Sequence, residues 1–165
     1  MIRILQETDA QAYQEIRLNG LLTNAEAFGS TYEREAGFTL ETFMERIKPS
    51  QDRFVLGAFE DGRVVGIVSF VRETAIKTSH KSNVYGMYVR KEMQGKGIGK
   101  SLMLELIRHA RECAGLERIN LTVVSTNEAA KKLYRSIGFV IYGVEKDALK
   151  YNGQYADEDL MVLVL

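Results

Sequence analysis

The sequence predicts a mixed α/β fold in which one central mixed sheet of about six to seven strands is flanked by about four helices. Two features of the chain support this prediction. An Asp-Gly pair at residues 61–62 separates two apolar, β-branched segments, and such a pair favours the tight turn of an antiparallel hairpin. After the hairpin, strand-like and helix-like patterns alternate along the chain. A hairpin followed by alternating strands and helices produces a mixed sheet covered by helices.

The composition predicts a single domain spanning residues 1–165. Hydrophobic residues make up 45% and charged residues 27% of the chain, which is ordinary for a globular protein. The 22 basic and 22 acidic residues balance, so no overall charge attracts the chain to nucleic acid or to an anionic membrane. The N-terminal apolar run is too short for a signal peptide, and no stretch has the roughly 20 apolar residues of a membrane span. We therefore expect a cytoplasmic protein.

The first half of the chain is predicted to contain a short strand, two helices and the hairpin. Thr8 or Asp9 caps the first helix and Thr39 caps the second. The segment between the helices, residues 23–33, has no periodic pattern and is predicted to be a loop that carries Glu33. The predicted bounds are Ile2–Leu5 for the strand, about Asp9–Leu22 and Leu40–Ile47 for the helices, and Arg53–Phe59 and Val64–Val71 for the hairpin.

The second half is predicted to contain four strands and two helices. Its last strand is apolar, so it either lies at the edge of a homodimer or is a covered core strand. The polar residues 146–158 before it are predicted to form a loop. The predicted strands are Val84–Val89, Ile119–Val124, Phe139–Val144 and Asp159–Leu165, and the predicted helices are Leu102–Ala114 and the segment from Asn127 to Gly138.

The glycine-rich loop between the strand at 84–89 and the next helix predicts an anion site. Gln94-Gly-Lys-Gly-Ile-Gly99 has glycines at alternate positions, which let the backbone approach a ligand closely. The first amides of a helix have no internal partner and point outward, and the helix dipole adds positive potential there. Lys96 and Lys100 add charge. A phosphate group is the expected ligand.

Two nucleotide-binding motifs fail at a required position of this loop. The dinucleotide fingerprint G-x-G-x-x-G would need a glycine where Lys100 stands. The P-loop, G-x-x-x-x-G-K-[ST], matches at Gly99-Lys100-Ser101 but has Gln94 in place of its first glycine. A mononucleotide-binding protein therefore stays only as a rival interpretation.

The loop resembles a third motif, the Q/R-x-x-G-x-G/A sequence of the GNAT superfamily of N-acetyltransferases. The chain matches it as Gln94-x-x-Gly97-x-Gly99, and Asn127 to Phe139 resembles the family's N-x-x-A-x-x-x-Y-x-x-x-G-F block. The two blocks cover the second half of the chain closely, whereas the first half agrees only in its order of elements. The resemblance implies a GNAT-like central sheet. It also implies an acetyl-CoA site whose binding residues are Met87, Tyr88, Val89, Gln94, Gly95, Lys96, Gly97, Ile98, Gly99, Lys100 and Asn127.

The family resemblance implies transfer of an acetyl group from acetyl-CoA to a primary amine of a small molecule or peptide, by direct attack of the amine. Tyr134 stands where the family has its acid tyrosine. A free thiol has a pKa of about 8.5 and tyrosine about 10, so a tyrosine near the sulfur can protonate the leaving thiolate. Gly86 predicts a bulge that exposes an amide to the thioester, because glycine inside a strand often marks such an irregularity.

The sequence pattern does not identify the general base. Some family members carry a glutamate where this chain has Thr122, which cannot act as a base near neutral pH. Four residues are candidates by type, and Glu33 is the first choice because its region lines the acceptor side in this family. Asp157 and Glu158 either attract a cation or only charge the start of the last strand. The four candidates are Glu33, Glu35, Glu73 and His80.

Two further predictions concern what the protein does not use. The two histidines, His80 and His109, stand alone, so no metal site is predicted. The single cysteine, Cys113, falls on the apolar face of a helix and is predicted to be a packing residue. The main alternative to an enzyme is a non-catalytic acyl-CoA-binding or regulatory module, since one fold can support several functions.

Overall fold

A computed structural model describes residues 1–165 as seven strands and five α-helices. This confirms the predicted fold class, with one helix more than the approximate number expected. The strands are β1 (Ile2–Ile4), β2 (Arg53–Glu60), β3 (Arg63–Arg72), β4 (Lys81–Val89), β5 (Arg118–Val124), β6 (Val140–Tyr151) and β7 (Gln154–Val164). The helices are α1 (Ala10–Thr23), α2 (Tyr32–Ala36), α3 (Leu40–Ile47), α4 (Ile98–Arg111) and α5 (Glu128–Ser136). None of these helices is long and apolar enough to cross a membrane.

All seven strands belong to one sheet in the order β1-β2-β3-β4-β5-β7-β6. Every neighbouring pair is antiparallel except β4 and β5, which run parallel. The parallel pair is short, because it extends only from Lys81 opposite Arg118 to Asn83 opposite Asn120. Beyond these residues β4 and β5 diverge, so the sheet opens towards the carboxyl ends of both strands.

Two apolar clusters fill the two faces of the sheet. On one face α4 buries Leu102, Met103, Leu106, Ile107 and Ala110, the stripe expected of an amphipathic helix. On the other face α1 and α3 pack against the hairpin of β2 and β3. Each cluster excludes apolar side chains from water, and together they fix the helices to opposite sides of the opening.

Several local predictions are confirmed by backbone geometry. Asp61 and Gly62 both have positive φ, +50° and +75°, as the hairpin turn requires. Thr39 caps α3 by accepting a hydrogen bond from the amide of Thr42. Helix α4 begins four residues earlier than predicted because Gly97, in the left-handed conformation, is its N-cap.

Two predicted loops are wrong in part. Residues 32–36 form helix α2, which Thr31 caps through its side chain, so Glu33 lies on a helix rather than in a loop. Residues 146–158 lie mainly in the long hairpin of β6 and β7, which turns at Asn152-Gly153. These residues are polar because this part of the hairpin extends past the helices and is exposed to solvent. They form strands all the same.

The last strand is not an edge strand. Strand β7 pairs with β5 on one side and β6 on the other, so it cannot form a dimer edge through its backbone. The edge strand at this end of the sheet is β6, which exposes the apolar side chains of Val140, Tyr142 and Val144.

Candidate active site

A cavity of about 1280 Å³ occupies the opening between β4 and β5. Its walls come from both diverging strands, the loop before α4, the start of α5, and the layer that contains α1, α2 and α3. Pockets for single small molecules usually measure about 300–1,000 Å³, so this cavity has room for two reactants.

Strand β4 bulges where it enters the cavity. Tyr85 lies opposite Ser69 and Tyr88 lies opposite Ile67, so Gly86 and Met87 together face one residue of β3. Gly86 has φ +61°, a conformation that favours glycine. The bulge was predicted from this glycine, and it interrupts the ladder at the point where the sheet opens.

The glycine loop presents free amides to the same cavity. The backbone N–H groups from Gly95 to Lys100 donate no hydrogen bond within the protein. Gly95 and Gly97 have φ of +79° and +80°, and a β-carbon at either would meet nothing within 4 Å. The Gln94 side chain donates to the Val89 carbonyl over 3.0 Å and ties the loop to β4. The arrangement matches a phosphate site at a helix N-terminus.

Tyr134 reaches the cavity from α5, on the face where α4 packs. Its side chain is 7% exposed and its ring packs against Phe139 with centroids 5.9 Å apart. The Tyr134 hydroxyl makes no hydrogen bond within the protein. Every fully buried side-chain oxygen does have a hydrogen-bond partner, so the Tyr134 hydroxyl is not fully buried. The hydroxyl is therefore open to the cavity. Burial raises the pKa of Tyr134 to about 12, so the group stays protonated at neutral pH.

A buried charge cluster lies on the opposite wall, beneath the three N-terminal helices. Glu35 is fully buried and binds Arg17 through two hydrogen bonds of 2.9 and 2.8 Å. Arg46 donates to the same carboxylate over 2.8 Å. Burial favours the neutral acid, but the hydrogen bonds from Arg17 and the charges of both arginines outweigh it and lower the pKa of Glu35 to about 2. All three side chains line the cavity.

A second carboxylate, Glu158, lines the cavity from β7. It pairs with Val124 across the sheet, so its side chain lies on the same face as the exposed Thr122. Burial is the largest cause of its raised pKa, and the negative charge of Glu145, directly opposite on β6, raises it further. The nearby Thr122 hydroxyl acts in the other direction and lowers the pKa of Glu158.

Comparisons with known proteins identify the family to which this architecture belongs. Residues 2–160 match the family model for the acetyltransferase (GNAT) domain. The chain belongs to the GNAT acetyltransferase family. This finding confirms the resemblance inferred from the two sequence blocks and accounts for the glycine loop.

Individual GNAT relatives resemble the chain at moderate identity. The L-amino acid N-acetyltransferase AaaT of Escherichia coli K12 is 33% identical over 63% of this chain, and acetyltransferase PseH of Campylobacter jejuni is 30% identical over 64%. The chain spans 64% and 62% of the lengths of these two relatives. The structure of yncA, a putative acetyltransferase from Salmonella typhimurium with its cofactor acetyl-CoA, superimposes with a TM-score of 0.82 at 26% identity. That superposition covers 99% of this chain and 92% of the Salmonella chain.

The GNAT cavity gathers nearly all the residues predicted to bind acetyl-CoA. Met87, Tyr88 and Val89 line it, but the Tyr88 side chain points away from the strand edge and donates to Asn19 over 2.7 Å. Only the Tyr88 backbone therefore faces a ligand along β4. Asn127 also lines the cavity, and its side chain caps α5 by accepting from the amide of Ala130. The remaining lining residues of the set are Gln94, Gly95, Gly97, Ile98, Gly99 and Lys100, together with the predicted acid Tyr134.

Two predicted site residues lie outside the cavity. Lys96 is exposed and its ammonium lies 3.8 Å from the Met93 sulfur. Glu33 is exposed on α2 and does not line the cavity, so the structure does not support it as the base. Its neighbour Glu35 does line the cavity, because helical geometry turns residues two apart to different sides.

Sequence reasoning did not place Arg17 and Arg46 in the site, and it did not predict that Glu158 lines the cavity. The arginines belong to helices that pack together only in the folded protein, and nothing in their local sequence sets them apart. Glu158 was predicted either to attract a cation or only to charge the start of the last strand, and it was not among the base candidates, since residues 146–158 were predicted to form a loop. The structure contains no group of three or more His, Cys, Asp or Glu residues that could hold a metal ion.

Gly97→Ala is expected to weaken acetyl-CoA binding by about 10-fold or more, because a left-handed alanine costs about 1–2 kcal/mol and its methyl group enters the phosphate site. Gly62→Ala is a matched control, since Gly62 has φ +75° and equally open surroundings in the hairpin turn. Calorimetric titration with acetyl-CoA measures the affinity, and urea unfolding measures the stability. Both variants should lose similar stability, and equal acetyl-CoA affinity in the two would contradict the assignment.

Proposed function

We propose that this protein transfers the acetyl group of acetyl-CoA to a primary amine of a small molecule or peptide. One observation carries the proposal: the free amides of the glycine loop, the opened edge of β4 and the unpaired Tyr134 hydroxyl share a single cavity. No cysteine or histidine lines this cavity. The serine and threonine hydroxyls that line the cavity have no histidine in its lining to activate them as nucleophiles. In this proposal the amine attacks the thioester directly, without an acyl-enzyme intermediate.

The substrate acetyl-CoA is held by backbone groups. Its pyrophosphate binds the amides from Gly95 to Lys100 at the positive end of α4, and the Lys100 ammonium adds charge there. Its pantetheine arm follows β4 across Met87 to Val89, where the strand has no partner on the β5 side. The thioester then lies at the Gly86 bulge, whose amides stabilise the oxyanion of the tetrahedral intermediate.

Tyr134 stabilises the departing sulfur. At a pKa of about 12 the hydroxyl is a hydrogen-bond donor throughout the neutral range. Complete proton transfer to a solvated thiolate of pKa about 8.5 would cost about 5 kcal/mol, at about 1.36 kcal/mol per pKa unit. The same burial that raises the pKa of Tyr134 also raises that of the thiol beside it. The hydroxyl thus donates a hydrogen bond to the sulfur as negative charge develops there. The proton transfer is completed within the cavity, where burial raises the pKa of the thiol as well.

Glu158 is the general base in this proposal, in place of Glu33. Its carboxylate faces the cavity beside Thr122, the position where some GNAT enzymes carry a glutamate. Because burial and Glu145 raise its pKa above the ordinary value, Glu158 is a stronger base than a solvated carboxylate. It accepts a proton from the attacking amine, directly or through one water molecule.

Glu158→Gln is expected to lower kcat/KM by about 10²-fold, the lower end of what general bases contribute. The raised pKa of Glu158 gives the wild-type rate an acid limb, with activity lost as the pH falls through that pKa. The Gln variant should lack this limb. Glu145→Gln is the control, since it keeps the base but removes the charge that raises the pKa, so its acid limb should move to lower pH. An unchanged limb in both variants would rule out Glu158.

Free-thiol release from acetyl-CoA, followed over a panel of amines, amino acids and peptides, tests the proposed function. Turnover on any amine supports an enzyme. Stabilisation by acetyl-CoA without turnover on any amine favours the alternative, a non-catalytic acyl-CoA-binding module. Stabilisation by ATP–magnesium instead of acetyl-CoA would favour the mononucleotide-binding rival.

A homodimer and a cytoplasmic location stay predictions. If the chain forms a dimer, the exposed edge strand β6 is the surface available for pairing, because an unpaired strand edge is a template for another strand. Sedimentation equilibrium of the wild type and of a Val144→Lys variant measures this association.

A further inference from the structure

We propose that the acceptor is an amine that also carries a carboxylate, as a free amino acid does, and that Arg17 and Arg46 bind this carboxylate. The inference rests on the proposed acetyl transfer and names the acceptor class for the same cavity. It is carried by the charge cluster beneath the N-terminal helices.

The cluster has an excess positive charge. Glu35 is the one carboxylate between Arg17 and Arg46, so the three side chains together carry one net positive charge. The exposed rim adds Arg34 and Arg53. The whole cavity is lined by four arginines and one lysine against three glutamates, Glu26, Glu35 and Glu158.

Arg17 and Arg46, whose side chains are 12% and 32% exposed, both keep donors free for a ligand. Arg17 uses Nε and Nη2 on Glu35, and its Nη1 has no partner in the protein. Every fully buried side-chain nitrogen has a hydrogen-bond partner, so the unpartnered Nη1 of Arg17 is not fully buried and is open to the cavity. Arg46 uses only Nη1, which leaves Nη2 free. A pair of guanidinium groups with open N–H donors suits a carboxylate, which accepts such bonds in a planar arrangement.

The cluster also lies next to the expected reaction centre. Arg17 Nη1 lies 3.1 Å from the position that a β-carbon of Gly86 would occupy, so the guanidinium contacts the β4 bulge. The rings of Phe28 and Phe38 hold the two arginines in place, with guanidinium carbons 5.0 and 4.9 Å from the ring centres. A carboxylate bound there places its neighbouring amine within reach of the thioester at the bulge.

The arginines and Glu158 come from different elements of the cavity lining, and they match the two ends of such an acceptor. The carboxylate meets the arginines on the α1 and α3 side, and the amine faces Glu158 on the β7 side. A polyamine or an aminoglycoside would instead bring several positive charges towards Arg17 and Arg46, which is unfavourable in a partly desolvated cavity. The charge distribution therefore selects amino acids over multiply cationic amines.

The test compares kcat/KM for L-amino acids with that for their carboxamides, which have the same shape but no negative charge. Wild type is expected to prefer the acids by about 10- to 100-fold, the value of a charge-assisted hydrogen bond. Arg46→Met should reduce this ratio towards one, and Arg46→Lys, which keeps the charge without the planar fork, should give an intermediate ratio. Arg108→Met, which removes an exposed guanidinium of α4, should leave the ratio unchanged.

The ratio is measured within each variant, so a variant of lower stability or overall activity still reports on recognition. Equal use of acids and carboxamides by wild type, or an undiminished ratio in Arg46→Met, would overturn the inference. So would turnover confined to polyamines or peptides, which would leave the acetyl transfer itself intact. Stabilisation by acetyl-CoA with no turnover on any amine would overturn the proposed function, and the acceptor class with it.

Discussion

Tyr134→Phe is expected to lower kcat by about 10²- to 10³-fold, within the range that positioned acids contribute. The substitution removes the one hydroxyl that opens to the cavity from α5 and keeps the ring that packs against Phe139. The fold and the binding of acetyl-CoA should therefore persist. Because the hydroxyl interacts with the sulfur mainly as charge develops, kcat and kcat/KM should fall together.

Steady-state thiol release measures this effect, and calorimetric titration measures acetyl-CoA affinity in the same variant. Tyr142→Phe is the matched control, since Tyr142 is exposed on β6 and does not line the cavity. At a pKa of about 12, ionisation of Tyr134 produces no alkaline limb below about pH 10. A Tyr134→Phe enzyme with undiminished kcat would remove the hydroxyl from the mechanism and leave the enzyme itself in place.

Glu35→Gln is expected to lower the free energy of unfolding by about 3–5 kcal/mol, the cost of breaking a buried ion pair by removing one partner. Glu35 joins three helices, because it lies on α2 and binds Arg17 of α1 and Arg46 of α3. A neutral amide leaves the two positive charges beside each other without a counter-charge. The variant should also lose activity, since the arginines no longer hold fixed positions in the cavity wall.

Urea unfolding measures the change, and Glu33→Gln is the control. Glu33 is exposed on the same short helix, so its substitution should alter stability by no more than about 0.5 kcal/mol. A stability loss for Glu35→Gln below about 1 kcal/mol would show that the arginines are solvated without Glu35.

The pH dependence of stability gives an independent test of the same cluster. Glu35 has a folded-state pKa of about 2, below its unfolded value of about 4.3. Its contribution to stability is therefore complete above the unfolded pKa and is lost as the pH falls from about 5 towards 2. At about 1.36 kcal/mol per pKa unit the contribution is about 3 kcal/mol, in agreement with the expected loss in Glu35→Gln. In Glu35→Gln, the free energy of unfolding should change less than in wild type between about pH 5 and pH 2.

Features set by short segments of sequence were predicted correctly. The Asp61-Gly62 turn, the Thr39 cap and the bulge at Gly86 each depend on the backbone preference of one or two residues. The glycine loop and the tyrosine of α5 could be found because each belongs to a continuous motif. Helix α2 was missed because five residues are too few to show a period, and one capping bond at Thr31 starts it.

The outer part of the hairpin of β6 and β7, residues 146–158, was missed for a different reason. Its polar residues extend beyond the helices that cover the rest of the sheet, so neither face imposes an alternating pattern. The strand pairing is held by backbone hydrogen bonds along the ladder, which carry little sequence signal. The hairpin nevertheless decides where Glu158 points, and the sequence pattern alone placed this residue in a loop.

The sequence by itself determined the family, through the two motif blocks at residues 94–99 and 127–139. It also determined the sheet with its flanking helices and the glycine loop, because these follow from local backbone preferences and from the period of apolar residues. Only the tertiary structure decided which charged side chains meet in the cavity. Arg17, Glu35 and Arg46 are separated in the chain and converge through helix packing, and Glu158 reaches the site through the register of β7 on β5. Electrostatic partners of this kind depend on long-range packing, so the residues proposed as the base and as the acceptor-binding groups come together only once the chain is folded.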